Sequence, residues 1–430
     1  MIQQLFNPHA TFAILDLYLN ISTGGIPLIP KLEEYKKQFD IESDDAIIPG
    51  LDAIEEALAA VLNPEKDLRI IHVAGTNGKG STIAVMEAVL RAHGFTTGVF
   101  SSPAILDIHD QIRINGQPIK PDELAYVFEE MEAAGLSGLL TDFELLTVAA
   151  FLAFRNAAPD YILLETGMGG KFDSTNVVTP LVSVITSIAL DHTGFLGDTI
   201  ERITSHKAGI IKPHIPVVIG DVTDEARDVI IAQAKQTKSL VRVYGENFYM
   251  EVGDVETYRG MSTFELPTRQ MKGPHQAINH AVALEALSLA GVPLKQREVA
   301  RAIAAVQLPY RFQKIAENVY IDGAHNPAAA AMLVRTIEEQ FPGEKVDWIV
   351  GMLNTKDYEK TLKILTPLAN SFTFVDFPHP QAAKAQDLQA VCPVENSCIL
   401  SSRDIELTAQ QTVHVIVGSL YLLNDLLHEN

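Results

Sequence analysis

At 430 residues the chain exceeds what one ordinary hydrophobic core encloses, so two or three domains are expected. Apolar residues make up 47% and aromatics 7%, a composition that suits an α/β enzyme rich in Ala, Ile, Leu and Val. A formal charge of −21 excludes a broad basic face for nucleic acid or an acidic membrane, so an anionic substrate needs a local patch of Lys, Arg, metal or helix N-termini.

The N-terminus shows no basic stretch followed by an apolar core and cleavage site, and no apolar run is long enough to span a bilayer. Cys392 and Cys398 are the only cysteines and form no disulfide framework, so the chain reads as cytoplasmic. From there, apolar runs alternate with helical patterns, as in parallel strands joined by crossover helices. "LRIIHVAG" (68–75) predicts a buried strand. It is followed by a glycine turn and a helix with Ser81 or Thr82 near its N-cap and Gly94 as its stop. "YILLET" (161–166) and "LVSVITSIAL" (181–190) predict two more buried strands, and 199–212 a helix. The alternation between about 241 and 267 predicts an inserted antiparallel hairpin. A boundary is expected near "VQLPYRFQKI" (306–315), after which the strand–helix alternation restarts at "NVYIDG" and closes with "VHVIVGSLYLLNDLL" (413–427). The result is a large N-terminal domain, 1–307, and a smaller Rossmann-like C-terminal domain, 308–430.

The turn "HVAGTNGKGST" (72–82) fails the usual P-loop pattern, because Val73 stands where a glycine belongs and Gly80 separates Lys79 from the hydroxyls. Its physics still suits a phosphate. Successive backbone N–H groups and a helix start would face one concavity, Lys79 would reach terminal phosphates, and Ser81 or Thr82 would face a phosphate or its metal. A tight turn that merely joins strand to helix is the alternative. Glu165 sits at the C-terminal end of one of the predicted buried strands, and His192 follows "SIALD" at the end of another. In an open parallel sheet those ends share one crevice, where Mg²⁺ could bridge carboxylate and phosphate oxygens. Each also has an ordinary explanation, a helix cap for Glu165 and a structural hydrogen bond for His192. Lys207, in the apolar "HKAGII", reads as a lysine that snorkels to solvent. "YIDGAHNPAAAA" places Asp322, His325 and Asn326 in a second strand-to-helix turn, where a ribose or second substrate could meet the first domain.

Taken in order, "IHVAGTNGKGST", "SSPAI", "TDFELLT", "LLETGMGGKFDSTNVV", "TSIALDHTGFLG", "HKAGIIK", "HQAINHAVAL", "YIDGAHNP" and "TKDYEK" resemble the folylpolyglutamate synthase / dihydrofolate synthase family of Mur-ligase-like amide-forming ATPases. The resemblance runs from about Leu51 to the C-terminus. It implies an α/β fold in which a P-loop-type ATPase domain with a parallel sheet meets a smaller C-terminal Rossmann-like domain across the active site. ATP would phosphorylate a folate-type carboxylate, and L-glutamate would displace phosphate to give the amide.

By the same resemblance Gly75, Thr76, Asn77, Gly78, Lys79, Gly80, Ser81 and Thr82 hold the ATP phosphates, and Asn279, Arg311 and Asp322 contact the nucleotide. Ser102 and Glu165 bind one Mg²⁺ and His192 a second. Lys207 matches a lysine carbamylated in the family, which reverses the snorkelling assignment. Thr141, Phe143 and Asp173 match positions around the pterin, and His325 and Ser419 positions near the incoming glutamate. A soluble monomer acting on folate or dihydropteroate, L-glutamate and ATP, with no nucleic acid or membrane partner, is expected.

Four departures bear on substrate. Asp110, Gln111 and Ile112 stand where the family has Glu-Arg-Ile, with Arg113 one residue along. His206 replaces a Glu before Lys207, Gly194 replaces an Asp, and "YRF" replaces "GRF". They leave open a related ligase for a non-folate acid. A nucleotide-binding regulator that has lost turnover is the other alternative, and the intact Lys79, Glu165, His192, Lys207 and His325 speak against it.

Overall fold

Among the described residues the N-terminal sheet has eight short strands. They are β1 (Ile70–Ala74), β2 (Thr97–Phe100), β3 (Ile112–Ile114), β4 (Gln117–Pro118), β5 (Tyr161–Glu165), β6 (Val182–Ile185), β7 (Val217–Ile219) and β8 (Val241–Val243). The structure is a computed structural model that describes residue 29 and residues 31–428, apart from positions 47, 105, 254, 406 and 407. The N-terminal stretch without a leader pattern, and the first residues of the expected 1–307 domain, therefore lie outside the described residues.

The spatial order is β4-β3-β2-β5-β1-β6-β7-β8, parallel from β2 to β8 and antiparallel at β3 and β4. Strands β1, β5 and β6 are buried at every position, as strands covered on both faces must be. One face is covered by helices Lys79–Ala92, Pro274–Leu289 and Gln296–Ala305, and the other by helices that include Asp142–Ala157. Strand β1 lies between β5 and β6, so the chain leaves it in both directions. The crevice at such a switch point is where ligands bind in open α/β sheets.

Three expectations shift. The helix after the glycine turn begins at Lys79 with Gly78 as N-cap, so Ser81 and Thr82 lie in its first turn rather than at its cap. The segment from 241 splits: β8 joins the large sheet parallel to β7, and β9 (Tyr249–Glu251), β10 (Glu256–Arg259) and β11 (Thr263–Leu266) form a separate three-stranded antiparallel meander. The C-terminal sheet contains an additional edge strand, Ser397–Ser401.

That sheet runs in the order β12-β13-β17-β14-β15-β16. Its members are β12 (Gln313–Ala316), β13 (Val319–Asp322), β14 (Val346–Val350), β15 (Ala369–Asp376), β16 (Ser397–Ser401) and β17 (Val413–Val417). It is parallel except at β12 and has an apolar core on each face. Helix Pro327–Gln340 follows β13, so the turn that carries Asp322, His325 and Asn326 projects toward the phosphate loop. No helix among the described residues is long and apolar enough to cross a membrane.

Candidate active site

One cleft of about 790 Å³ joins the C-terminal edge of the large sheet to the C-terminal sheet. At its centre the chain leaves β1 and wraps through Gly75–Gly78. A Cβ at Gly75 would collide with the Thr186 hydroxyl. At Gly78, φ is +86° and a Cβ would stand 2.6 Å from Asn279 Oδ1, so both positions need glycine. Gly80 is not so constrained, since a Cβ there meets only Leu308 at an ordinary 3.6 Å. The loop is tied to the segment after β6. Thr76 N–H donates to the Ser187 carbonyl at 2.9 Å, and the Asn77 carbonyl accepts from the Thr186 hydroxyl at 2.7 Å and the Ser187 hydroxyl at 2.9 Å. Ser81 lies on the cleft wall and accepts from Gln276 at 3.3 Å. Thr82 does not line the cleft. Its N–H is taken by the Gly78 carbonyl and its buried hydroxyl has no partner among the described residues.

Lys79 Nζ stands 3.6 Å from Glu165 Oε1. Glu165 ends β5, in register with Val73 of β1, and is almost wholly buried. Burial pushes its carboxyl pKa up, and Lys79, Arg311 and Arg113 hold it back. Ser102 and His192 line the same cleft, so the convergence expected of Glu165 and His192 is present; His192 has a left-handed φ of +50° and is exposed. Glu165 and the Ser102 hydroxyl offer hard oxygen donors. Among the described residues no group of three His, Cys, Asp or Glu side chains is placed to hold an ion. That donor set fits Mg²⁺, which takes one or two protein ligands and completes its shell with phosphates and water.

Lys207 does not reach solvent. It is 4% exposed and its Nζ donates to the Gly75 carbonyl at 3.0 Å, behind the loop. Burial, with Lys79 nearby, lowers its pKa to about 7, so a neutral amine is accessible at ordinary pH.

The C-terminal half supplies Arg311, Asp322, His325 and Ser419 to the cleft, and helix Pro274–Leu289 supplies His275 and Asn279. Asp322 accepts from the Phe312 and Ala324 N–H groups, each at 2.8 Å. The Ser419 hydroxyl accepts from the Tyr421 N–H at 3.2 Å. His325 Nδ1 is 2.9 Å from the Gly323 carbonyl, which can only accept, so Nδ1 carries the proton and Nε2 is left as an acceptor. Burial and Lys356 lower its pKa to about 4, and the ring is neutral at pH 7.

Asp191 and Lys356 had no role from sequence, yet they join the two halves. Lys356 Nζ lies 2.7 Å from Asp191 Oδ1, Asn326 donates to Oδ2 at 3.1 Å, and His325 Nε2 is 3.8 Å from Oδ2. Asn77 and Asn326 exchange amide hydrogen bonds at 3.3 and 3.1 Å. The signals were in plain view, with Asp191 directly before His192 and Lys356 inside "TKDYEK".

At the far end of the cleft Thr141 caps helix Asp142–Ala157 in a reciprocal box with Glu144, and Phe143 stacks on Phe100 with centroids 5.7 Å apart. Asp173 accepts from the Met168 N–H and from the Thr175 N–H and hydroxyl; burial raises its pKa and those bonds oppose the rise. Gln111 is buried on this wall. Arg113 is held by Ser101 at 3.2 Å and Glu87 at 3.3 Å. His206 lines the cleft edge-on to Phe172, and a Cβ at Gly194 would meet open space.

Residues 73–287 match the Mur ligase middle domain, and residues 305–429 match the dihydrofolate synthetase C-terminal domain. The chain is 33% identical to the dihydrofolate synthase/folylpolyglutamate synthase of Bacillus subtilis over 407 residues, covering 88% of this chain and 94% of the relative. It is 34% identical to the Escherichia coli enzyme of the same name over 322 residues, covering 74% and 75%. Among solved structures it resembles E. coli FolC in complex with DHPP and ADP, with a TM-score of 0.83, 29% identity, and coverage of 94% of this chain and 97% of that one. A bifunctional folylpolyglutamate synthase/dihydrofolate synthase with Mn, AMPPNP and L-glutamate bound superposes with a TM-score of 0.78 at 31% identity, covering 88% and 94%.

Proposed function

The chain belongs to the folylpolyglutamate synthase/dihydrofolate synthase family, and we propose that its cleft joins L-glutamate to a folate-type acid at the expense of ATP, with the residue roles given below. The observation that carries this assignment is the loop Thr76–Ser81 and the buried Glu165 on one wall, faced across the same cleft by Arg311, Asp322 and His325. ATP would lie along that line, its phosphates on the loop N–H groups and Lys79 and its nucleoside end toward Asn279, Arg311 and Asp322. A carboxylate oxygen of the acid attacks the γ-phosphorus, the bond to the ADP oxygen breaks, and an acyl phosphate forms. The amine of glutamate then attacks the acyl carbon and phosphate leaves. His325 Nε2, the free acceptor on a neutral ring, receives the ammonium proton as the C–N bond forms. Ser419 lies in the same part of the cleft and would meet the glutamate; Thr141, Phe143 and Asp173 would surround the pterin.

Ser102 and Glu165 would hold one Mg²⁺ and His192 a second, and such ions would neutralise phosphate charge during transfer. Lys207 suits carbamylation. Its neutral amine can add CO₂ and release a proton, which would turn a buried cation into an anion able to support a second ion. The domain cut is placed at 307/308, after helix Gln296–Ala305 and before β12 opens the second sheet. Both walls of the cleft come from one chain, and a monomer is proposed; light scattering tests it. The activity test is ADP release from Mg²⁺-ATP that requires both L-glutamate and a folate-type acid, with the amide product identified by mass. ADP release indifferent to the acid would defeat the proposal.

A further inference from the structure

Strand β1 is apolar but for His72, which is fully buried and alternates with Ile71 and Val73, so its ring points to the sheet face opposite theirs. There its Nε2 lies 2.9 Å from the Thr175 hydroxyl, and that hydroxyl lies 2.5 Å from Asp173 Oδ1. Asp173 lines the far end of the cleft, so a chain of hydrogen bonds runs from the middle of the sheet to the place proposed for the acid. We infer that His72 is a positioning residue of the ligase: through Thr175 it fixes Asp173 as a hydrogen-bond acceptor for a donor on the bound acid. The inference rests on the ligase function proposed above and adds to it a residue that does not line the cleft.

The direction of the chain decides what Asp173 can do. A hydroxyl has one hydrogen to give. When Thr175 gives it to Asp173, the ring must donate from Nε2, and Asp173 stays a carboxylate. When Thr175 gives it to His72, Nδ1 carries the ring proton, and Asp173 must be protonated on Oδ1 or two bare acceptors would face each other. His72 Nδ1 has no hydrogen-bond partner among the described residues. The second arrangement would therefore bury an N–H with nothing to receive it, whereas the first leaves only an open lone pair. Orphaned buried donors are the rarer of the two in folded chains. The other end of the chain favours the first arrangement as well, because the N–H groups of Met168 at 2.8 Å and Thr175 at 3.1 Å also donate to Asp173. Two of these three donors fall on Oδ1 and one on Oδ2, which leaves one of a carboxylate's roughly four acceptor sites, on Oδ2, for a ligand. Burial raises the Asp173 pKa, and the Thr175 hydroxyl is the strongest group opposing that rise. The His72 ring is neutral, since burial and Lys212 lower its pKa to about 3.

The test measures ADP release by the full chain, first with 7,8-dihydropteroate varied at saturating Mg²⁺-ATP and L-glutamate, then with ATP varied. His72→Leu and Thr175→Val are each expected to raise KM for dihydropteroate about tenfold, the scale of one hydrogen bond to a charged acceptor, with kcat and KM for ATP within about twofold. The double variant is expected to be no worse than either single one, because both cut the same chain. His72→Gln, whose amide N–H reaches about as far as Nε2, is expected to recover most of the loss, whereas a residue that only filled space would be served as well by Leu. In ¹⁵N NMR spectra of histidine-labelled protein, the ring signals that vanish in His72→Gln are expected to be those of a neutral Nε2–H tautomer. An Nδ1–H tautomer, equal rises in KM for acid and ATP, or no recovery in His72→Gln overturns the inference and leaves the ligase function standing. Strict additivity in the double variant, or an unmoved acid KM in Thr175→Val, does the same. Wild-type ADP release indifferent to the acid overturns both.

Discussion

Lys356 and Asp191 form an ion pair at 2.7 Å that ties the C-terminal half of the chain to the segment after β6, and both side chains are about nine-tenths buried. Such a pair adds little over an apolar substitute, but removing one partner strands a buried charge at a cost of roughly 3–5 kcal/mol. Lys356→Met and Asp191→Asn are each expected to lower stability and kcat/KM. The double variant should lose less than the sum, with a coupling of about 1–3 kcal/mol in urea unfolding. Strict additivity would mean that the pair does not hold the halves together.

Lys79 has two partners to serve, the terminal phosphates and the Glu165 carboxylate 3.6 Å away. Lys79→Ala should cut ATP turnover by at least about a hundredfold, the scale set by deleting one preorganised donor at developing charge. It should also let the Glu165 pKa rise further, because Lys79 is the strongest group opposing burial there. Near-normal ADP release in this variant would show that the loop does not hold phosphates.

Lys207 is separable from Lys79 because its Nζ contacts the back of the loop through the Gly75 carbonyl. Lys207→Ala should retain most nucleotide binding by titration calorimetry while amide formation falls steeply. Depleting CO₂ from the wild type should reproduce that loss reversibly, and isotopically labelled bicarbonate should restore it with a carbamate signal in the NMR spectrum. Full activity after exhaustive CO₂ removal would exclude the carbamate.

The site was legible in the sequence where local pattern and topology coincide. An apolar run, three glycines and a helix start mark the phosphate loop, while Glu165 closes one strand and His192 follows another, and a parallel sheet must gather those ends. What stayed hidden depends on contacts distant in sequence. Nothing in "HKAGII" distinguishes a lysine that snorkels from one sealed behind a loop 132 residues away. The Asp191–Lys356 pair spans 165 residues, and Arg113 is claimed by Glu87 of a helix that periodicity alone cannot orient toward it. The edge strand β16 is short and mostly exposed, so its burial pattern carries no alternation to detect.

His72 and His280 are both fully buried, and burial lowers each pKa to about 3. Their hydrogen bonds agree with neutral rings. His280 Nδ1 donates to the Gln276 carbonyl, and His72 Nε2 meets the hydroxyl of Thr175, which itself donates to Asp173. Because the folded pKa is depressed below the unfolded 6.5, the unfolded chain binds more protons as pH falls through 6.5, and stability is lost on the acid side. Each ring should contribute about 1.4 kcal/mol of destabilisation per pH unit between its two pKa values, or about 2 kcal/mol from pH 6.5 to pH 5. Urea unfolding of His280→Leu at pH 7.5 and pH 5 should show a smaller drop than the wild type by about that amount, whatever its stability at pH 7.5. Raised carboxyls such as Asp173 and Glu165 bind protons in the folded state and work in the opposite sense, but they are common to both proteins and cancel in the difference. An identical drop in the two proteins would show that His280 is not held neutral in the folded chain.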